Sequence, residues 1–208
     1  MAARPVSVVE KGILKTFLMS RSPIQGFPHS NGHGRRQTGA EVVSRQSNLL
    51  VESSRQVSGE RLREMLVAEI KRQNKPYGLR FDNITGGFTT TGRAGVQAFK
   101  VIPLVVYRVY ADGRPDELVR GVDIVGTPLA ALTRIITTSD VQHVFNGVCG
   151  AESGSVPVSA VAPAMLFSEM EVQKRAHEHD RPPILPPPGF DSPQTKRALA
   201  SANAEVKP

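Results

Sequence analysis

The 208-residue sequence has no tryptophan, a single cysteine and only 5% aromatic residues. One cysteine rules out a disulfide framework within the chain and fits a reducing compartment. Scarce aromatics mean that any core is aliphatic, and 39% hydrophobic residues are enough to build one. No stretch approaches the ~18–20 consecutive apolar residues of a membrane helix. Residues 1–15 lack the uninterrupted apolar segment of a secretory signal. A soluble, cytoplasmic protein without a membrane partner is expected.

Charge of one sign is also unevenly supplied. The formal net charge is +7, with 16 Lys+Arg against 7 Asp+Glu in residues 1–100 and 10 against 12 in residues 101–208. A basic half can mark a nucleic-acid face. Here the basic residues are dispersed and no aromatics alternate with them as a stacking platform needs. Solvated surface charge is the preferred reading, and nucleic acid is not expected as a partner.

What is present reads as a strand-rich α+β domain with a β-meander and two short helices. Val6–Val9 and Ile13–Met19 suggest two strands around Glu10-Lys11-Gly12. Residues 22–39 form a long glycine-containing loop without periodicity. Leu49–Val51 is a brief strand. Ser58 to Lys75 is the clearest helix: Ser58 suits an N-cap, and Leu62, Met65, Leu66 and Ile70 share one face. Asn74 and Pro76 stop it.

Tyr77–Phe81 follows as a strand, and Gly86-Gly87 signals a turn. Phe88 to Val125 is the meander, with Pro103 marking an edge or a bulge, a hairpin connection over Ala111–Pro115 and a returning strand over Leu118–Val125. Thr127-Pro128 opens a second helix whose apolar face comprises Leu129, Leu132, Ile135 and Ile136. Two strands close the pattern, Val156–Val161 and Met165–Val172. Residues 1–179 are expected to form one domain. Residues 180–208, beginning in a proline run, are predicted to be a disordered tail with polyproline II character over Arg181–Pro188.

Hydrolytic zinc sites need three protein ligands and one open position. His29 and His33 are four apart, but Pro28, Gly32 and Gly34 oppose a helix there. His177 and His179 are two apart, which on a helix does not place them on one face. Cys149, in Asn146-Gly147-Val148-Cys149-Gly150, is open between a buried small residue, a nucleophile and a metal ligand. As a nucleophile it needs a base, and His143 is the nearest histidine in sequence.

Several short motifs, in this order, resemble one family. Gly12-Ile13-Leu14-Lys15 through Ser20-Arg21 resembles its opening strand. Asn31-Gly32-His33-Gly34-Arg35-Arg36 is similar to its Gly-Asn-x-x-Arg loop, and Arg45-Gln46-Ser47-Asn48-Leu49 to its Arg-x-Thr-Asn segment. Gly86-Gly87-Phe88 resembles its twin-glycine turn, and Leu118 to Val125 with Gly126 the strand leading to its second helix. Gly147-Val148-Cys149-Gly150-Ala151-Glu152-Ser153-Gly154-Ser155-Val156-Pro157-Val158 matches its Gly-x-Cys-Gly-Lys-x-Gly-Gln-x-x-Pro-Val block, with Ala151 in place of the lysine. The family is that of the TldD/PmbA metallopeptidases (modulators of DNA gyrase), and the likeness is to its C-terminal domain.

The resemblance implies that Cys149 is a zinc ligand. The other two ligands would come from a His-Glu-x-x-x-His helix outside these residues, whose glutamate polarises zinc-bound water. No catalytic residue is then expected in this chain, which alone would be inactive. It would be a fragment: a split gene, a truncated reading frame, or the second chain of a two-part enzyme. The expected partners are a flexible or unfolded peptide substrate and an N-terminal part or subunit carrying that helix, in a homo- or heterodimer. Asn31, Arg35, Asn48, Gly86 and Gly87 are candidates to line the substrate cavity. Two rival readings are a non-catalytic scaffold subunit of the same family and, ranked lowest, a basic nucleic-acid-binding module.

Overall fold

The structure is a computed structural model that describes residues 2–46, 48–90, 92, 95–175, 193–194 and 196–197. The chain divides into two units, Met1–Arg175 and Ala176–Pro208. In the second, residues 193–194 and 196–197 are helical. The proline run and the His177/His179 pair lie outside the described residues. Everything below concerns the first unit.

Its N-terminal part is a series of short ribbons. Strands β1 (Val9–Glu10) and β2 (Ile13–Leu14) pair antiparallel. Lys11 and Gly12 make the turn with φ of 52° and 80°. The expected continuation of β2 to Met19 is absent, because the backbone there bonds to a side chain and a loop instead of a ladder: Met19 N–H donates to Asn31 Oδ1 at 2.7 Å. Strands β3 (Gly34–Arg35) and β4 (Val43–Ser44) form a second ribbon, β3 lying inside the segment expected to be loop and β4 just beyond it.

Helix α1 (Gly59–Arg72) follows strands β5 (Asn48–Leu50) and β6 (Gln56–Val57). Ser58 caps it through its hydroxyl, which accepts from Arg61 N–H. Asn74 ends it in the left-handed region at φ 50°. The predicted apolar stripe is the packed face: Leu62, Met65 and Leu66 are half-buried and Ile70 is buried. That face touches strands of both main sheets.

The first main sheet is the expected meander, in the order β13 (Glu171–Lys174), β10 (Val122–Gly126), β8 (Ala98–Val109), β7 (Gly78–Thr90), with β9 (Glu117–Val119) also on β8. The returning strand is split into β9 and β10, since Gly121 between them takes φ 72°. Pro103 sits opposite Ile84 next to a register shift between Ile84 and Gly86. That is the bulge a strand proline calls for. Gly86-Gly87 is no turn: both residues pair within β7, opposite Ile102 and Val101. The glycine pair is used for close approach, because a Cβ on Gly87 would overlap the Lys100 carbonyl oxygen.

The second sheet has the order β5, β12 (Gly154–Phe167), β11 (Ile135–Ala151), β6. The long antiparallel β11–β12 hairpin is its frame, and β5 and β6 add short parallel pairings. Here the sequence expectation needs two corrections. Helix α2 (Pro128–Thr133) ends early, so Ile135 and Ile136 belong to β11, and Leu129 and Leu132 are 79% and 61% exposed and cover nothing. The strand expected over Val156–Val161 continues through Pro163, accommodated at a second register shift opposite Gln142, to Phe167, and the one expected over Met165–Val172 is broken there, its last two residues falling in β13.

Candidate functional site

Cys149 lies near the tip of the β11–β12 hairpin, paired with Val156. Alternation along β11 puts it on one face with Gly147, Phe145 and His143. Phe145 folds its ring along the strand over Gly147, where a Cβ would meet ring Cε1 at 2.8 Å. The thiol side of the strand is therefore a half-buried position beside an aromatic ring. The register is unbroken from Gln142 to Ala151. His143 is thus held roughly 20 Å from Cys149 by six residues of strand, which excludes it as a base for that thiol.

Hairpin tips normally face water, yet Ser153 in this one is 0% exposed. The segment from residue 31 to residue 45 covers it. Gln37 N–H donates to the Ser153 carbonyl at 2.8 Å, and Gln37 Oε1 accepts from Ser155 N–H at 2.9 Å. Gly154 takes φ 81° under the Gln37 side chain, which leaves no room for a Cβ. Arg45 reaches in from the end of β4. Its Nη1 donates to Ser153 Oγ (2.8 Å) and the Gly154 carbonyl (3.0 Å), and its Nη2 to the Cys149 carbonyl (2.6 Å).

The cover is itself braced. Arg45 N–H donates to the His33 carbonyl and His33 N–H to the Met19 carbonyl. Asn31 bridges the same layer, accepting from Met19 N–H and donating from Nδ2 to the Phe17 carbonyl at 2.9 Å. Arg35 turns its guanidinium onto the carbonyls of Gly32 and Gly34. Asn31 and Arg35 therefore belong to the layer that supports the hairpin tip. Asn48 lies in β5 opposite Ser159, on the same sheet as Cys149. Gly86 and Gly87 are in the other sheet. Sequence reasoning named Arg45 and Ser153 only as members of motif segments, left out Gln37, and paired none of the three. Their partners lie about a hundred residues away along the chain, and no local pattern signals that.

Among the described residues no three of His, Cys, Asp and Glu stand together as a metal site. His33 uses Nε2 on the Arg4 carbonyl at 3.0 Å. The donors of the described residues thus fit a thiophilic metal only in part, with one sulfur on a braced strand.

Elsewhere on the chain, charged groups serve the frame. Asp123 is 1% exposed and receives both Arg175 and Lys100, which hold its carboxyl below the usual range, Arg175 chiefly. Asp116 ties α1 to the meander through Arg63 and Arg80, and its carboxyl is likewise lowered, first by Arg63. Arg80, Arg108 and Arg114 lie over the rings of Tyr107, Tyr77 and Tyr110. These Arg–Tyr pairs make no basic platform, because Asp82 and Asp116, Glu117, and Asp112 neutralise the same three arginines.

The described unit is thus a strand-built domain that carries one thiol on a braced hairpin and leaves much apolar surface uncovered. The chain matches the family model for the PmbA/TldA metallopeptidase C-terminal domain over residues 1–174, and it belongs to that family. No curated protein matches it.

Proposed function

We propose that this chain is the C-terminal part of a zinc metallopeptidase acting on flexible or unfolded peptides, and that Cys149 gives one ligand to the metal. The observation that carries the reading is the family match over residues 1–174. Supporting it, the thiol is half-buried, lies outside the packed core and is fixed at its main chain, as a ligand awaiting partners from another segment should be. The remaining ligands come from a His-Glu-x-x-x-His helix on an N-terminal part or partner subunit, in a cytoplasmic homo- or heterodimer.

Zinc bound there supplies Lewis acidity and an activated water. This chain's own contribution is to hold the thiolate and to receive the peptide. Among the described residues no strand pairs with the outer edge of β11 beyond Ser139. An extended peptide adds to that edge as a further strand, drawing on main-chain hydrogen bonds that do not depend on its sequence. Asn31, Arg35 and Asn48 shape the surroundings of the hairpin, and Gly86 and Gly87 keep a second wall free of side chains.

Zinc content tests the reading. The purified chain alone should bind no stoichiometric zinc. Assembled with a partner carrying the His-Glu-x-x-x-His helix, it should hold one zinc per site and cleave an unfolded peptide, and Cys149→Ser should abolish both. A zinc-free assembly, or full cleavage by the serine variant, would leave only a scaffold role.

A further inference from the structure

We propose that Arg45 is a positioning residue for Cys149, its guanidinium clamping the hairpin tip so that the thiol is presented in one orientation. The proposal rests on the reading of Cys149 as a metal ligand, and its test is separate from that reading.

Arg45 is only 7% exposed. Burying a guanidinium is costly unless it is paired. Every arginine or lysine that ion-pairs among the described residues does so elsewhere, and none of their carboxylates lies within ion-pair distance of Arg45. Its bonds go instead to three neutral acceptors, all on one hairpin: Ser153 Oγ, the Gly154 carbonyl and the Cys149 carbonyl.

A two-residue hairpin connection closes through its own ladder without such help, and the Ala151–Gly154 pair is present here. What Arg45 adds is a link across the hairpin, from Gly154 on β12 to the main chain of the cysteine on β11. Only a planar fork spans those acceptors at once; a lysine ammonium reaches one of them. Because Arg45 is braced through His33 to Met19, the clamp transmits the rigidity of the N-terminal layer to the residue bearing the sulfur.

Cys149 is the sole thiol of the chain, so its alkylation by iodoacetamide reads its presentation directly. The plateau rate at alkaline pH, measured on the full chain, reports access to the thiolate independently of how much thiolate is present. Arg45→Gln should raise that plateau about fivefold, with Arg45→Lys between it and the parent, as loss of charge-assisted bonds to the tip predicts. Ser153→Ala, which removes one of the three acceptors, should give a smaller rise of roughly twofold and keeps the test open should Arg45→Gln fail to fold. Asp123→Asn, which weakens the fold at the other sheet, should lower the melting temperature and leave the plateau alone. An unchanged plateau in the folded Arg45 and Ser153 variants, or an equal rise in Asp123→Asn, overturns the proposal. A zinc-retaining, active Cys149→Ser assembly would instead remove the ligand reading and leave the clamp standing.

Discussion

A carboxylate that is almost fully enclosed must be compensated where it sits, and Asp123 is the clearest case in this chain. Arg175 and Lys100 both reach it, and Arg175 N–H also donates to the Gly121 carbonyl, so one acidic side chain ties the last described strand of the unit to the meander. Asp123→Asn keeps the shape and removes the charge, leaving two cations unpaired. The partners are partly solvated, so the cost should be about 2 kcal/mol, below the usual range for a fully buried pair. The pH dependence follows from the lowered carboxyl. Its stabilisation is complete above the ordinary value of 3.8 and is lost as pH falls below it through the folded-state value. Urea melts of parent and variant should therefore differ near neutrality and converge below about pH 4. Glu69, brought to about 2 by Arg72 and then Gln73, loses its own contribution in the window from 4.5 down to about 2, equally in both proteins.

Strand β7 shows what an element reveals about itself and what it withholds. Gly86-Gly87 is a turn signal when read locally, and the alternation around it does not contradict that. Only the neighbouring strand supplies the reason for a glycine at 87, the Lys100 carbonyl it must pass. Gly87→Ala should accordingly cost roughly 1–3 kcal/mol by forcing the ladder apart. Gly86→Ala, which meets nothing within 4 Å, should be neutral or slightly stabilising, by up to about 0.5 kcal/mol. Paired thermal melts separate the two. Elements governed by local chemistry were legible: the Ser58 cap, the α1 stripe, the bulge at Pro103 and the hairpin after Tyr110. Strand β11 was not. Asn146, Gly147 and Gly150 interrupt its apolar pattern, and from Asp140 to Phe145 both faces are exposed, so no period of two survives. The resemblance placed Cys149 in a motif block, but its support was hidden because Arg45 and the hairpin tip meet across 104 to 109 residues of chain.

At the scale of the whole unit, many large apolar residues stay uncovered. The buried hydrophobic core comprises Met19, Ile70, Val106, Val109, Val156 and Leu166 among the described residues, whereas Leu50, Val144 and Val148 stand 65–68% exposed on the hairpin sheet. The pairings put them on one face: Leu50 lies beside Val161 and Val161 beside Val144, with Val148 next to Pro157 farther along. Single exposed apolar side chains need no explanation, but a contiguous face across three strands does. If an N-terminal part or partner subunit covers that face, binding must stabilise this unit by mass action. Addition of that partner should then raise the melting temperature in a concentration-dependent way and suppress binding of a hydrophobic dye to the isolated chain. Val144→Lys with Val148→Lys changes only exposed positions, so it should leave the melt of the isolated chain nearly unmoved while abolishing the partner-induced rise. Should the rise persist in the double variant, the contact surface lies elsewhere on the unit. Cys149 points to the opposite face of the same strand, so loss of assembly without change in thiol alkylation would show that the two faces of β11 act separately.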